Sequence, residues 1–235
     1  MRVLVGTSGF SYKEWKGRFY PEKCPADQML RFYASHFTTV EMNNTFYRMP
    51  SEKILLDWAA EVPDTFSFAI KAPQRITHQK RLNDAAEDTG YFLKTVNVLG
   101  ARLGPTLFQL PPNMKKDLPR LETFLGLLPN RWRAAFEFRH PSWYDEEVFA
   151  ALRNRDAALC IAETGEPNDP PVVATASWGY LRLRKVEYGE GEVAAWAQRV
   201  RQQAWSEAYV FFKHEDEATG PILAEEFVKL VSSEP

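Results

Sequence analysis

Eight short runs rich in apolar, β-branched and aromatic residues punctuate the chain, several of them alternating apolar and polar positions, and most are followed by stretches in which apolar residues recur every three or four positions. The short runs are RVLVGTS (2–8), TTVEMN (38–43), FSFAIK (66–71), TLFQL (106–110), AAFEFR (134–139), ALCIAE (158–163), YLRLR (180–184) and AYVFFKH (208–214). Their β-branched and aromatic residues suit a pleated, half-buried backbone, so they are predicted strands. VVAT (172–175) is an extra extended piece without an assigned place. Helices are predicted between them. DQMLRFYASHF sets Met29, Phe32, Tyr33 and His36/Phe37 on one stripe, and SEKILLDWAAEV opens at a Ser51 N-cap and carries Leu55, Trp58 and Val62. Residues 88–99, 117–128, 145–154 and 192–204 read the same way. A last helix opens at Gly220-Pro221, with proline allowed in its first turn, and carries Leu223, Phe227 and Leu230.

Strands that alternate with helices call for a parallel sheet with crossover helices, either a closed (β/α)8 barrel or an open doubly wound sheet. Eight such units in 235 residues favour a compact barrel of the TIM type. No G-x-G-x-x-G follows a strand, which removes the best signal for a dinucleotide-binding open sheet. With no linker-like, repeated or low-complexity stretch, residues 1–235 are read as one domain.

Composition changes this picture little. The chain is 45% hydrophobic and 26% charged, with a net charge of −2, so nothing in bulk advertises nucleic acid or an anionic membrane. No apolar run approaches the ~20 residues that span a bilayer. MRVLVGTSGF has neither a signal-peptide core nor its cleavage site, so a cytoplasmic location is expected. Cys24 and Cys160 are far apart and in no metal-ligand spacing, and Cys160, inside ALCIAE, reads as a small buried hydrophobe.

Chemistry enters at the strand ends, where the active sites of α/β barrels lie. The run VEMNNTFYRMP leaves an apolar strand for Glu41, Asn43, Asn44, Phe46, Tyr47 and Arg48, a change expected where a chain leaves the core for a pocket. Alternation places Glu137 and Arg139 on one face and Phe136 and Phe138 on the other. By the same logic Glu41 and Asn43 oppose Val40 and Met42, and Lys71 points inward if Phe68 and Ile70 face helices. Any one of these charges could belong to a packing layer. Four together are costly to bury, and a Glu–Lys–Arg network would shift pKa values as acid–base sites require. His78 and His214 read either as catalytic groups or as satisfied hydrogen-bonders, and Tyr12, Trp15, Phe46, Tyr47 and Trp143 as an aromatic wall or as core.

The motifs VGTSGFSYKEWKGRFYP, VEMNNTFYRMP, FAIKAPQRITH, GPTLFQLPP, AFEFRHPSW and VFFKHEDE together resemble the YecE-like family, catalogued as domain of unknown function number seventy-two. The resemblance runs through nearly the whole chain and implies a TIM-barrel fold, but no activity. It carries over Ser8, Gly9, Tyr12, Trp15, Glu41, Asn43, Thr45, Phe46, Tyr47, Lys71, His78, Gln109, Glu137, Arg139, Trp143 and Arg182. It also implies a histidine in an R-L-H pattern on strand seven, where this chain has R-L-R and hence Arg184, a more basic choice.

The reading that follows is an enzyme of hydrolase or lyase type, without cofactor or metal, acting on a small anionic or sugar-like substrate. Glu137 is the leading acid/base in this reading, Lys71, Glu41 and His78 assist, and Ser8, Tyr12, Trp15, Asn43, Thr45, Tyr47, Gln109, Arg139, Trp143, Arg182 and Arg184 bind substrate. If the two glutamates flank a sugar, a separation of about 5–5.5 Å implies retention and roughly 6.5–9.5 Å inversion. Two other readings stand beside it. One is a non-catalytic binder of a metabolite, nucleotide or short nucleic acid. The other is a metal enzyme using Glu41, Glu137, Glu163 and His214, against which Lys71, Arg139 and Arg182 argue electrostatically. For a functional pocket, Glu137→Gln is expected to cost little stability. The oligomeric state is left open.

Overall fold

The computed structural model describes residues 1–232, and its eight strands form one parallel sheet in the order β1-β8-β7-β6-β5-β4-β3-β2. They are β1 (Arg2–Thr7), β2 (Thr39–Met42), β3 (Ser67–Lys71), β4 (Leu103–Gln109), β5 (Ala134–Glu137), β6 (Ala158–Glu163), β7 (Trp178–Leu183) and β8 (Glu207–Phe212). Around them lie α1 (Met29–His36), α2 (Glu52–Ala60), α3 (Ala86–Val96), α4 (Leu118–Leu127), α5 (Glu146–Arg153), α6 (Glu192–Arg201) and α7 (Thr219–Ser232). Helices start where the sequence provides caps. Ser51, Asp117 and Asp145 each accept a hydrogen bond from a backbone N–H in the first turn of α2, α4 and α5. Among the described residues no helix is long and apolar enough to cross a membrane.

The ring closes between β1 and β2 with almost no ladder. An isolated bridge joins Ser8 to Glu41, and Gly9 N donates to Glu41 O at 2.8 Å. Lower down, the Tyr33 hydroxyl from α1 replaces the missing ladder bonds: it accepts from Thr7 N at 2.8 Å and donates to Thr39 O at 3.1 Å. Gly6 permits this approach, since a Cβ there would lie 2.1 Å from the Thr39 carbonyl oxygen. Between β6 and β7 a loop replaces the helix. The unassigned VVAT piece belongs to that loop, and Thr175 Oγ1 ties it to the start of β6, accepting from Leu159 N at 2.7 Å and donating to Ala157 O at 2.8 Å.

The strands sort their side chains into two cores. Facing the helices are Val40, Met42, Phe68, Ile70, Phe108, Phe136 and Phe138. Inside the barrel, Ala69, Ala135, Ala158, Cys160 and Ala162 leave room for Trp178, Tyr180, Tyr209 and Phe211 on β7 and β8. Cys160 is thus a small interior hydrophobe, and Cys24 is a second buried free thiol. One layer above this interior, two residues further along each strand, sit Lys71 after Ala69, Gln109 after Leu107, Glu137 after Ala135 and Arg182 after Tyr180.

The seam between β1 and β2 is the weak line of the barrel. Tyr33→Phe leaves the Thr39 carbonyl and Thr7 N–H without a partner and is expected to cost about 1–3 kcal/mol in urea denaturation. Gly6→Ala, which forces the seam apart, should cost at least as much. A loss below about 0.5 kcal/mol for both would mean that the seam is held elsewhere.

Candidate functional site

At the C-terminal end of the barrel, Arg182 links two carboxylates that come from strands not adjacent to one another. Its Nη1 donates to Glu137 Oε2 at 2.5 Å, and Nε and Nη2 donate to Glu41 Oε1 at 3.1 and 2.9 Å. All three side chains are sealed from solvent, with exposures of 2% or less. Every carboxylate oxygen has donors. Glu41 also accepts from Ser8 Oγ at 2.7 Å and Tyr180 OH at 2.6 Å, and Glu137 Oε1 accepts from Gln109 Nε2 at 2.8 Å and Arg139 Nε at 3.0 Å. Arg184 Nη1 stands 3.5 Å from the same oxygen. Burial opposes the charge on both glutamates, but Arg182 outweighs it. Helped by Arg139 and Arg184 at Glu137, and by Tyr180 and Ser8 at Glu41, it holds both carboxyls below their ordinary value.

This geometry makes Glu41 and Glu137 the counterions of Arg182. A carboxylate held so far below neutrality is a poor general acid and a weak base. Glu41 is enclosed by its donors, while Glu137 also lines a neighbouring cavity beside Arg139 and Arg184. The group poised near neutrality is Lys71. Burial, reinforced by Arg182, pushes its pKa down to about 8. Its Nζ donates to Gln109 Oε1 at 2.9 Å and lies 4.1 Å from the centre of the Phe46 ring.

Above Lys71 opens a cavity of about 270 Å³ lined by Tyr12, Asn43, Asn44, Tyr47, Lys71, Gln109, Arg139, Arg182, Lys213 and Glu215. Its charged lining is thus Lys71, Arg139, Arg182 and Lys213 against Glu215 alone. Two further cavities adjoin it. One, of about 380 Å³, shares Tyr12, Asn43 and Asn44 and adds Phe10, Met42 and Trp58; the other, of about 290 Å³, shares Arg139 and adds Arg184, Tyr144 and the loop after β6. Tyr12 is fixed in the mouth by donating to Ser8 O at 2.7 Å, and it fills the space beside Gly9, whose φ of +88° turns the chain out of β1. Asn43 Nδ2 is buried without a partner at the junction of two cavities.

Several expected ligand contacts have other duties. Trp15 is fully buried, its indole N–H donating to Glu215 O at 2.9 Å, and Trp143 is fully buried, donating to Met114 O at 2.7 Å while stacked on Phe138. Both are core. Thr45 is buried and shares its hydroxyl proton between Met42 O and Lys71 O, anchoring the turn after β2 to the end of β3. Ser8 serves Glu41 and does not reach the cavity. His78 lies outside the cavity lining as well: it packs edge-on against Phe46, the ring beneath Lys71, and is held at Nδ1 by Thr77 Oγ1 at 2.9 Å. Its pKa is lowered by burial and by Lys71. The four residues of the metal reading are not gathered. Glu163 accepts from Tyr188 OH, His214 Nε2 faces Lys185 O, and no group of three or more potential ligands converges among the described residues.

Three contributors lay outside the expected set. Tyr180 was readable in principle, since alternation puts it on the face of Arg182. Lys213 directly follows β8, on the inward parity of Tyr209 and Phe211, much as Lys71 ends β3. Glu215 sits in a loop and left no trace in the pattern.

A model of the family described as "Protein of unknown function DUF72" matches residues 4–235 of the chain. The UPF0759 protein YecE of Escherichia coli K12 is 35% identical over 116 residues, covering 49% of this chain and 43% of that protein. The UPF0759 protein YunF of Bacillus subtilis is 30% identical over 159 residues, covering 63% and 54%. The matched stretches thus span about half the length of these curated relatives. The crystal structure of a DUF72 family protein from Thermotoga maritima superposes with a TM-score of 0.88 at 30% identity, covering 99% of this chain and all of that one. A DUF72 family protein from Enterococcus faecalis reaches 0.81 at 19% identity over 99% and 98% of the two chains, a likeness of fold.

The buried triad makes a clear demand on Glu137. Glu137→Gln leaves Arg182 half-compensated and is expected to cost about 3–5 kcal/mol, against the small cost foreseen for a pocket carboxylate. Because the folded-state pKa of Glu137 is depressed, its contribution is complete above its ordinary value of 4.5 and is lost as pH falls below it. The stability gap between wild type and variant in urea should therefore narrow as pH drops below 4.5. A gap that stays constant with pH would show that the charge of Glu137 is not what matters.

Proposed function

This chain belongs to the DUF72 family, whose description names no activity, and we propose from the site's geometry that it is an acid–base enzyme of hydrolase or lyase type acting on a small anionic substrate. Lys71 moves the proton, and Arg139 and Lys213 hold the substrate's negative charge. The observation that carries this reading is the lining of the mouth, where Lys71, Arg139, Arg182 and Lys213 face Glu215 alone beside a fully hydrogen-bonded carboxylate pair. Arg182 is spent on Glu41 and Glu137, which leaves the outward nitrogens of Arg139, half-exposed at 33%, and the Lys213 ammonium for an anion. An amine with a pKa of about 8 is partly neutral at physiological pH and so serves as a base that its own conjugate acid can follow.

The sign of the lysine's effect is opposite to that of Glu137. A depressed lysine pKa means that the folded protein disfavours the charge, so the penalty is complete below about 8 and vanishes as pH rises to 10.5. Lys71→Met, which keeps an unbranched side chain without the charge, should therefore be more stable than wild type at pH 7 by of order 2 kcal/mol. That gain should fade between pH 8 and 10.5. The functional test is the acetylation rate of Lys71 against pH, followed by peptide mass spectrometry with and without inorganic phosphate. Inflection near pH 8 and protection by phosphate are expected, with protection lost in Arg139→Ala. Inflection at the pH of an ordinary lysine, without protection, would sink the proposal.

A further inference from the structure

Lys71 and, in the same cavity lining, Lys213 differ from several other half-buried lysines in having no carboxylate at ion-pair distance among the described residues. Lys80 pairs with Asp88, Lys116 with Asp145 and Glu147, and Lys185 with Glu192. Lys71, 9% exposed and the deepest of these, has no carboxylate within ion-pair distance among the described residues, because Arg182 and Arg139 have taken Glu41 and Glu137. Its one hydrogen bond goes to a neutral acceptor, Gln109 Oε1, and that amide cannot turn over, because its Nε2 is committed to Glu137 at 2.8 Å. Nζ itself is placed by the strand and by the face of the Phe46 ring, whose centre is 4.1 Å away, and Lys71 lines the cavity.

A rigid, desolvated amine beside other cations, with one N–H engaged and no carboxylate at ion-pair distance, can also offer its lone pair to an electrophile. We infer that Lys71 forms an imine with a small 2-oxo acid, whose carboxylate lies against Arg139 and Lys213 while its carbonyl carbon meets Nζ. This deepens the anionic-substrate reading and rests on it. The neutral amine adds its lone pair to the carbonyl carbon, forming the C–N bond as the carbonyl π pair moves to oxygen. That oxygen takes up the proton shed by nitrogen, giving a carbinolamine. A second proton, from solvent, lets the hydroxyl depart as water and leaves an iminium ion. No oxidant or reductant is consumed, and the substrate's carboxylate balances the new positive charge. The cavity of about 270 Å³ suits a ligand of a few heavy atoms beside ordered water.

The test is reductive trapping of the whole protein with pyruvate and sodium borohydride, read by intact mass and peptide mapping. One reduced adduct is expected, on the Lys71 peptide, saturating with pyruvate and blocked by inorganic phosphate. Its formation should be on the order of tenfold or more faster than at an exposed lysine such as Lys53. Arg139→Ala, which retains the amine, should lower trapping by about tenfold. Lys71→Arg should abolish it, but the wild-type map decides the matter even if that variant fails to fold. Labelling spread over surface lysines, or no adduct, overturns the imine. If pyruvate nonetheless protects Lys71 from acetylation, the anion-binding mouth survives and only the covalent step falls. If it neither protects nor reacts, both readings fall together.

Discussion

The upper half of this barrel depends on one buried guanidinium. Arg182 on β7 reaches across the interior to Glu41 on β2 and Glu137 on β5, so one side chain ties together three strands that share no ladder. Three ions withdrawn from water are expensive, and their mutual attraction offsets that cost only because nearly every polar atom is also hydrogen-bonded. Ser8, Tyr180, Gln109 and Arg139 supply those bonds. The arrangement is all or nothing. Any one partner removed leaves a charge in a place where water cannot reach it.

The triad also determines what the mouth can do. Two carboxylates and one guanidinium carry a net negative charge, and it is met by Lys71 in the same layer and by Arg139 and Arg184. Those cations are drawn to the carboxylates without being consumed by them, and Lys213 adds to their number. A surplus of donors around a small cavity favours an anion, while the crowding of like charges and the loss of water push the lysine towards its neutral form. The chemistry proposed for Lys71 thus follows from a packing decision made in its own layer of the barrel.

Much of this was legible in the chain. Alternation in AAFEFR and FSFAIK placed Glu137 and Lys71 inside and Phe136 and Phe68 outside, and the structure agrees at each. Alternation says which face a side chain takes, but it is blind to depth along the strand. Ser8 and Thr45 share the mouth's neighbourhood, yet their hydroxyls are used by Glu41 and by backbone carbonyls. Trp15 and Trp143 lie in loops, as expected of ligand platforms. Those loops fold back on the barrel, and both indoles are buried with their N–H groups bonded to main chain. His78 was displaced in a similar way, set behind Phe46 by the turn of helix that follows β3.

The sequence by itself determined the strand and helix order, the parallel barrel, the inward face of each strand and the gathering of charge at the strand ends, because these follow from local periodicity and from short-range capping. Only the tertiary structure decided which charge pairs with which. Glu41 and Arg182 are separated by 141 residues, and their contact exists only once the ring has closed at the Tyr33 seam. The assignment of roles came with it. A glutamate with an open face would have been an acid–base group. Held between Arg182 and Arg139 it is a counterion, and the lysine beside it has no carboxylate of its own.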